Sequence, residues 1–239
     1  VYTRDIYRPG MLYAKFLRSP HAHAKIKRLD PSKAEALTGV RAVLRYDDPT
    51  ITWPKLLGQA IVSDTNHWYE GMVGAVVVGE SEAIVDRALR LIELEMEELP
   101  VILDPEEALK PGAPIMRPDT NPKSNNKTRE RPIKIGDIEK GFAEADKVVE
   151  WVAGDDQDVW AGVEGHVGVV ECRGDYLDVW HHGQNWLYAM DALRQYSPVH
   201  KIHLYLPYNG AFFGGSSNIR AAPHTAVVAV IAARRTGCP

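Results

Sequence analysis

Cysteine is scarce in this chain, and its scarcity excludes several kinds of site. Only Cys172 and Cys238 occur among the 239 residues, and they form no CxxC pair. Two thiols are too few for an iron–sulfur cluster or a cysteine-rich zinc site in this polypeptide. So few cysteines in a chain of this length fit a reducing compartment better than a disulfide framework, so we expect a cytoplasmic protein.

Long apolar runs and an excess of charge are also lacking. The longest apolar run, Ala226–Ala233, is too short to cross a bilayer, so no membrane span is expected. The net charge is −4 with neutral histidines, which gives no electrostatic reason to bind nucleic acid or an anionic membrane. Hydrophobic residues make up 45% and charged residues 25%, as is typical of a globular protein with a sizeable core.

Strand and helix patterns alternate through the first half of the chain, which predicts an α+β unit. Strands are indicated by alternating or continuous apolar residues, and helices by apolar residues at helical spacing behind capping residues. The predicted strands are Leu12–Leu17, Ala24–Leu29, Val40–Tyr46, the fully apolar Val73–Val78, and Ile92–Glu97. The predicted helices run from Pro31 to a C-cap at Gly39, from Ser81 to Leu91, and onward from an N-cap at Asp104.

Residues 112–132 are rich in proline, asparagine and lysine and show little apolar periodicity. This composition predicts a linker between a first domain over residues 1–111 and a second over residues 133–239. The elements predicted after it are a helix near Asp137–Ala145, strands near Lys147–Val152, Val167–Glu171, Tyr176–Trp180 and Lys201–Leu206, and helices Asn185–Tyr196 and Thr225–Arg234. The last helix is apolar all round and should be buried. We expect its partner surface to lie outside this chain.

The segment most typical of a ligand site is Gly210–Gly215, with the sequence GAFFGG, just after the predicted strand Lys201–Leu206. A strand that runs into a glycine-rich turn exposes backbone N–H groups, and the missing Cβ atoms let a ligand approach closely. Phe213 in its middle suits a flat, buried cofactor better than a phosphate alone. The alternative is an ordinary strand-to-loop turn with a buried phenylalanine.

Polar residues before the predicted hairpin form a second candidate. Gln157 can donate and accept hydrogen bonds without adding charge, and Glu164 and His166 would face one side of an extended segment. The alternative is a polar loop that leads into the hairpin.

Two histidine pairs are weaker candidates. His21 and His23 would face one side of an extended segment, but no third metal ligand is placed nearby, which favours a structural or surface role. His181 and His182 would point to opposite faces of a strand, which argues against a shared metal.

Several motifs follow one another along the whole chain in an order known from one family. The most specific is RSPHAHA at Arg18–Ala24, followed by VWHHGQ at Val179–Gln184 and GAFFGG at Gly210–Gly215. Further matching segments are Tyr2–Ile6, Pro9–Ala14, Trp68–Val73, Glu97–Pro100, Asp104–Leu109, Gly136–Val149 and Pro223–Gly237. Together they resemble the molybdenum-binding large subunit of the xanthine oxidase and aldehyde oxidase family, with its a/b hammerhead domain, VW-S-T-Q strand and GGGFGG molybdopterin loop.

The chain departs from the family pattern at a few positions. Ala211 and Phe212 stand where the family has glycine, and Ser216 stands where lysine is usual. The stretch from Gln157 to Glu164 is one residue longer than the family spacing. The changes at Ala211, Phe212 and Ser216 favour the alternative function, a non-catalytic scaffold or assembly subunit that keeps the fold and has lost the cofactor.

The resemblance implies an α+β fold, with an a/b hammerhead domain followed by the first portion of a mixed α/β molybdopterin-binding domain. The implied cofactor is the molybdenum cofactor, either as molybdopterin or as its cytosine dinucleotide. The implied cofactor-binding residues are Gln157, Gly210, Phe213, Gly214 and Gly215. Phe213 and Gly214 would lie against the molybdenum centre, and Gln157 would hydrogen-bond an oxygen ligand of the metal.

The implied reaction hydroxylates an electron-poor carbon of an aldehyde or aromatic N-heterocycle, with water as the oxygen source. Electrons would pass to FeS and FAD groups, which we expect on partner subunits. The family's general base is a glutamate far downstream of the glycine loop. We therefore predict no catalytic residue and no metal ligand in this chain, and we expect the base on a second part of the molybdenum subunit.

Overall fold

The structure is a computed structural model that describes residues 1–53, 55–56, 59–60, 62, 66–67, 71, 73–116, 126–127, 132–154, 163–183, 186–197, 201–210 and 222–237. Strands and helices alternate in the first half. The strands are β1 (Tyr13–Arg18), β2 (Ala24–Asp30), β3 (Val40–Arg45), β4 (Lys55–Leu56), β5 (Gln59–Ala60), β6 (Asn66–His67), β7 (Val73–Gly79) and β8 (Glu93–Glu98). The α-helices are α1 (Ser32–Glu35), α2 (Glu82–Leu91) and α3 (Pro105–Leu109).

The strands of the first half form two three-stranded antiparallel sheets and a hairpin. The first sheet has the order β1-β7-β3, and the second has the order β6-β2-β8. Strands β4 and β5 pair with each other. Helix α2 begins behind Ser81, whose Oγ accepts the N–H of Ile84 at 3.3 Å, and it packs on β1 and β7.

Both faces of the central strand β7 are buried, as its apolar run predicts. Side chains alternate between the two faces of a strand. Val76 and Val78 accordingly belong to one core cluster, while Ala75 and Val77 belong to another. The second of these clusters includes buried residues of α1 and α2, whereas the first continues into the other half of the chain.

The second half contains a three-stranded sheet with helices. The elements are α4 (Ile138–Glu144), β9 (Gly168–Arg173), β10 (Tyr176–His181), α5 (Trp186–Tyr196), β11 (Lys201–Tyr205) and α6 (Ala222–Thr236). Strands β9 and β10 form an antiparallel hairpin, and Gly174 in its turn has φ +55°, which glycine adopts without strain. Strands β10 and β11 are parallel, so both end at the same edge of the sheet.

Helix α6 is buried between the two halves, so our expectation that its partner surface lies outside this chain is wrong. Val227, Val228 and Val230 are at most 2% exposed, and they share a core cluster with Leu44 of β3 and Leu177 of β10. The helix packs on β9, β10 and α5 of the second half and on β3 of the first half. The first sheet therefore covers part of the surface of α6.

The start of the chain is tied to the second half as well. The Nε atom of Arg8 lies 3.1 Å from Oε2 of Glu171, and the guanidinium lies 4.6 Å from the ring centre of Trp180. Tyr2 forms a parallel bridge with Tyr208, just after β11. Residues at the N-terminal end therefore contact the sheet of the second half directly.

The α+β class is confirmed, and so are most of the predicted elements. The prediction of one strand is wrong for this structure. Lys147–Val152 is not a strand here, because it forms no backbone hydrogen bonds with any described residue. The first helix is shorter than predicted. It ends at Glu35, so Gly39, with φ +89°, serves the turn before β3 and does not cap the helix.

The predicted linker over residues 112–132 falls largely on positions outside the described residues. Asn126 is one of the described positions, and its amide nitrogen donates to the carbonyls of Ala108 and Pro114, each at 2.9 Å. Within the ranges given above, no helix combines the length and the apolar character needed to cross a membrane.

Candidate functional site

The carboxyl ends of the parallel strands β10 and β11 bring two polar loops to one edge of the sheet. Strand β10 runs into His182 and Gly183, and β11 leads through Asn209 to Gly210, the first residue of the predicted glycine loop. The N–H of Gly183 donates to Oδ1 of Asn209 at 3.3 Å, which joins the two loops. Ligands commonly bind at the carboxyl ends of parallel strands, so this edge is the candidate site.

Glu164 holds the beginning of the glycine loop. Its Oε2 accepts a hydrogen bond from the backbone N–H of Gly210, and its side chain is only 8% exposed. A Cβ added at Gly210 would lie 3.0 Å from both Cβ and Oε2 of Glu164. A side chain at residue 210 would therefore have to displace Glu164 by a few tenths of an ångström, because the glutamate lies directly against this backbone.

His182 lies close to both Glu164 and His166. Its Nε2 is 3.4 Å from Oε2 of Glu164, and the ring centres of His166 and His182 are 5.6 Å apart. Burial lowers the pKa of His166 below its usual 6.5, and the charges of His182 and Arg18 lower it further. His166 is therefore neutral at pH 7, where it can hydrogen-bond without bringing a charge.

His181, the last residue of β10, is fully buried. Neither of its ring nitrogens has a hydrogen-bond partner among the described residues. Burial is the main reason that its pKa falls to about 4, and His182 and His166 add to the effect. A Cβ at Gly183 would clash with Nε2 of His181, so the imidazole occupies the space that a side chain at residue 183 would need.

The buried His181 is expected to make the protein less stable as the pH falls from 6.5 to about 4. In this window the unfolded chain protonates the histidine and the folded chain does not, so acidification favours unfolding. The free energy of unfolding should fall by about 3 kcal/mol over this pH range. Urea unfolding of wild type and His181→Leu at neutral pH and at about pH 4 would measure it. A wild-type loss no greater than that of the variant would contradict the prediction.

Of the predicted cofactor-binding residues, Gly210 alone lies within the described ranges. Gln157, Phe213, Gly214 and Gly215 lie outside them, so their roles stay predictions. The interaction between Gly210 and Glu164 was not predicted, since the two residues are 46 positions apart in sequence.

Glu164 and His166, which we singled out as a pair, come together with His182 at this edge. We had considered His182 only as one of two adjacent histidines. A partial signal existed, because His182 lies just after the predicted strand Tyr176–Trp180, and the next predicted strand, Lys201–Leu206, leads into the glycine loop. Sequence alone did not show that β10 and β11 are parallel neighbours.

His21 and His23 have partners elsewhere, near the end of β8. Nδ1 of His23 lies 2.6 Å from the carbonyl oxygen of Pro100, and Nδ1 of His21 lies 3.5 Å from Oε1 of Glu98. These contacts agree with a structural role. In the part of the chain that the structure describes, no group of three or more His, Cys, Asp or Glu side chains is placed to hold a metal ion.

Two family models match this chain. The a/b hammerhead domain of aldehyde oxidase and xanthine dehydrogenase matches residues 1–100, and the molybdopterin cofactor-binding domain matches residues 119–239. A probable xanthine dehydrogenase subunit of Bacillus subtilis is 31% identical over 98% of this chain and 31% of its own length. The carbon monoxide dehydrogenase large chain of Afipia carboxidovorans is 41% identical over 51% of this chain and 16% of its own.

Solved structures share the fold along the whole chain. The Cu,Mo carbon monoxide dehydrogenase structure has a TM-score of 0.80 and 31% identity, covering 100% of this chain and 32% of that chain. The quinoline 2-oxidoreductase of Pseudomonas putida 86 has a TM-score of 0.83 and 26% identity, covering 99% of this chain and 31% of that chain.

The fold and these matches define a molybdopterin-binding part of a molybdenum hydroxylase large subunit. The chain belongs to the xanthine dehydrogenase and aldehyde oxidase family, which confirms the resemblance drawn from its motifs. It spans about a third or less of the length of these relatives.

Proposed function

We propose that this chain supplies part of the molybdopterin site of a subunit that hydroxylates an electron-poor carbon, with water as the oxygen source. Aldehydes and aromatic N-heterocycles are the proposed substrate classes. The names of the relatives support this, since they include a xanthine dehydrogenase subunit and a quinoline 2-oxidoreductase. FeS and FAD subunits are the proposed electron acceptors, and a cytoplasmic location is proposed from the low cysteine count.

The observation that carries this proposal is the anchored start of the glycine loop. Gly210 lies at the carboxyl-end edge of β10 and β11, and its N–H is held by the buried carboxylate of Glu164. The loop therefore begins from a defined position. We propose that Phe213 and Gly214 lie against the molybdenum centre, and that Gly215 and Gln157 complete the contacts of this chain with the cofactor.

Buried polar atoms at the same edge fit a bound polar ring system. Oε1 of Glu164 and both ring nitrogens of His181 have no hydrogen-bond partner among the described residues, although buried polar atoms are almost always hydrogen-bonded. The edge of a pterin offers both donors and acceptors. The residues present thus suit molybdopterin, whether it is bound alone or as the cytosine dinucleotide.

The described residues would bind and orient the cofactor and would not transfer protons. When bound, the molybdenum cofactor supplies the two-electron redox chemistry, and the protein sets its position and surroundings. His166 and His181 have lowered pKa values, so they add no positive charge near it at neutral pH. The general base is proposed to lie on the part of the subunit that this chain does not span.

A second candidate function is a scaffold or assembly subunit without cofactor. It is favoured by the changed glycine loop, in which Ala211 and Phe212 replace glycine and Ser216 replaces the usual lysine. Side chains at residues 211 and 212 reduce the space that glycine would leave for a close ligand approach.

Metal and pterin analysis of the complex with all its subunits separates the two functions. We expect molybdenum, measured by plasma mass spectrometry, and pterin, measured by fluorescence after oxidation, in equal amounts with this chain. Absence of both from a complex that contains every subunit would overturn the enzyme function and leave the scaffold function.

A further inference from the structure

Residues 132–154, which we call the arm, are exposed at every position. The arm contains α4. Among the described residues, the arm forms ion pairs and hydrogen bonds only within itself. Several of its large apolar side chains are more than half exposed: Ile138, Phe142, Val148, Val149, Trp151 and Val152. Exposed large apolar side chains in this number are typical of a surface that another molecule covers.

Helix α4 is amphipathic, and its apolar face is exposed. Ile138 and Phe142 are four residues apart, which places them on one face. Lys140 and Glu144 form an ion pair at 3.7 Å on the opposite face. The helix is capped, because Oδ1 of Asp137 accepts the N–H of Lys140 at 3.1 Å. A capped helix with an exposed apolar face is suited to pack against a further surface.

The second part of the arm has a strand sequence without a neighbouring strand. Lys147–Val152 reads KVVEWV, and its valines and tryptophan favour a pleated, half-buried surface. Its backbone forms no hydrogen bonds to the described residues. A strand obtains its hydrogen bonds from a neighbouring strand, so this segment is suited to a sheet that the described residues do not provide.

We propose that the arm docks on the part of the molybdopterin subunit that the relatives possess and this chain does not span. In this docking, Lys147–Val152 adds as a strand to an open sheet edge, and the face formed by Ile138 and Phe142 packs beside it. The proposal rests on the proposed function, because it places the chain within such a subunit.

The comparison with solved structures supports this choice of occupant. The carbon monoxide dehydrogenase fold matches 100% of this chain, and hence the arm, at a TM-score of 0.80, yet this chain corresponds to only 32% of that chain. The counterpart of the arm therefore belongs to a fold with about twice as much further protein around it. A second copy of this chain is the competing occupant, and the experiment below tests it.

Hydrogen exchange at the amides of residues 147–152 tests the docking. We expect fast exchange in the chain alone and exchange at least about tenfold slower in the assembled molybdopterin subunit, because paired strand amides are protected. Equally fast exchange in both would overturn the proposal. Protection in the chain alone that rises with its concentration, together with a dimer in size-exclusion chromatography, would assign the arm to a second copy instead.

Substitutions in the arm give a second test, with a matched control. Trp151 and Leu103 are 85% and 89% exposed, so Trp151→Lys and Leu103→Lys should both leave the Tm of the chain alone unchanged. Val149→Pro removes a backbone donor from the docked strand. We expect Trp151→Lys and Val149→Pro to reduce recovery of the assembled subunit about tenfold, and Leu103→Lys to have little effect. Normal assembly of both arm variants would overturn the docking.

The molybdenum content of the same samples separates this proposal from the proposed function. A protected arm in an assembled subunit without molybdenum would leave the docking intact and overturn the enzyme function. An unprotected arm in an assembled subunit with its full molybdenum content would overturn the docking and leave the enzyme function intact.

Discussion

Replacing Glu164 with alanine is expected to lower the molybdenum and pterin content of the assembled subunit by about ten- to a hundredfold. The substitution removes the carboxylate that holds the N–H of Gly210, so the glycine loop loses its fixed starting point. A hydrogen bond to a charged group contributes about 1.5–3 kcal/mol. Losing that free energy from cofactor binding corresponds to a fall in affinity of about ten- to a hundredfold. Metal analysis and pterin fluorescence of the purified subunit would measure the change.

The matched control is Glu164→Gln, which keeps the size of the side chain and an acceptor for the Gly210 N–H. We expect Glu164→Gln to retain most of the cofactor and the Tm of the chain alone, whereas Glu164→Ala should also lower that Tm by several degrees, because its hydrogen bond to Gly210 is present in the chain alone. Full cofactor content in the alanine variant would show that the anchor is dispensable. An equal loss in both variants would show that the charge of Glu164 matters and the acceptor does not.

Introducing aspartate at Val227 is expected to unfold much of the protein. Val227 is 0% exposed, and its core cluster contains residues of both halves of the chain. A carboxylate in this apolar cluster would lose its hydration without gaining a partner, which should cost more than about 3 kcal/mol. Domains of this kind are commonly stable by only about 5–15 kcal/mol. Urea unfolding followed by circular dichroism would measure the loss.

Val227→Thr is the control for this substitution, because it keeps the shape of valine and adds only a hydroxyl group. Its expected destabilisation is about 1–3 kcal/mol. If the aspartate variant unfolded at the same urea concentration as the threonine variant, α6 could not be the tightly packed element that the structure describes.

The local elements of the fold were largely predictable, because their signals lie within a few residues of each other. Ser81 before α2 and Gly174 between β9 and β10 are capping and turn residues of this kind. The partners of each element were less predictable. The apolar character of α6 correctly indicated burial, yet nothing local showed that β3 would cover it. Lys147–Val152 has the composition of a strand, but a strand also needs a neighbour, and the described residues provide none.

The candidate site was predictable only in part for the same reason. The loop at Gly210 was indicated by its glycines, and Glu164 and His166 by their spacing before a strand. Their meeting depends on β10 and β11 lying side by side in parallel, which no local pattern specifies. The depressed pKa of His181 depends on burial, which follows from the packing of the whole core.

The position of α6 between the two sheets has a consequence for how this family can evolve. The two family-model matches are separated by residues 101–118. Recombination between related genes within these residues would exchange one complete matched domain for another. The core cluster crosses that boundary, since Leu44 and Val76 pack with Val227 and Val230. A hammerhead segment from another lineage would therefore fit only if its first sheet matched the surface of this helix, so the two halves should change together.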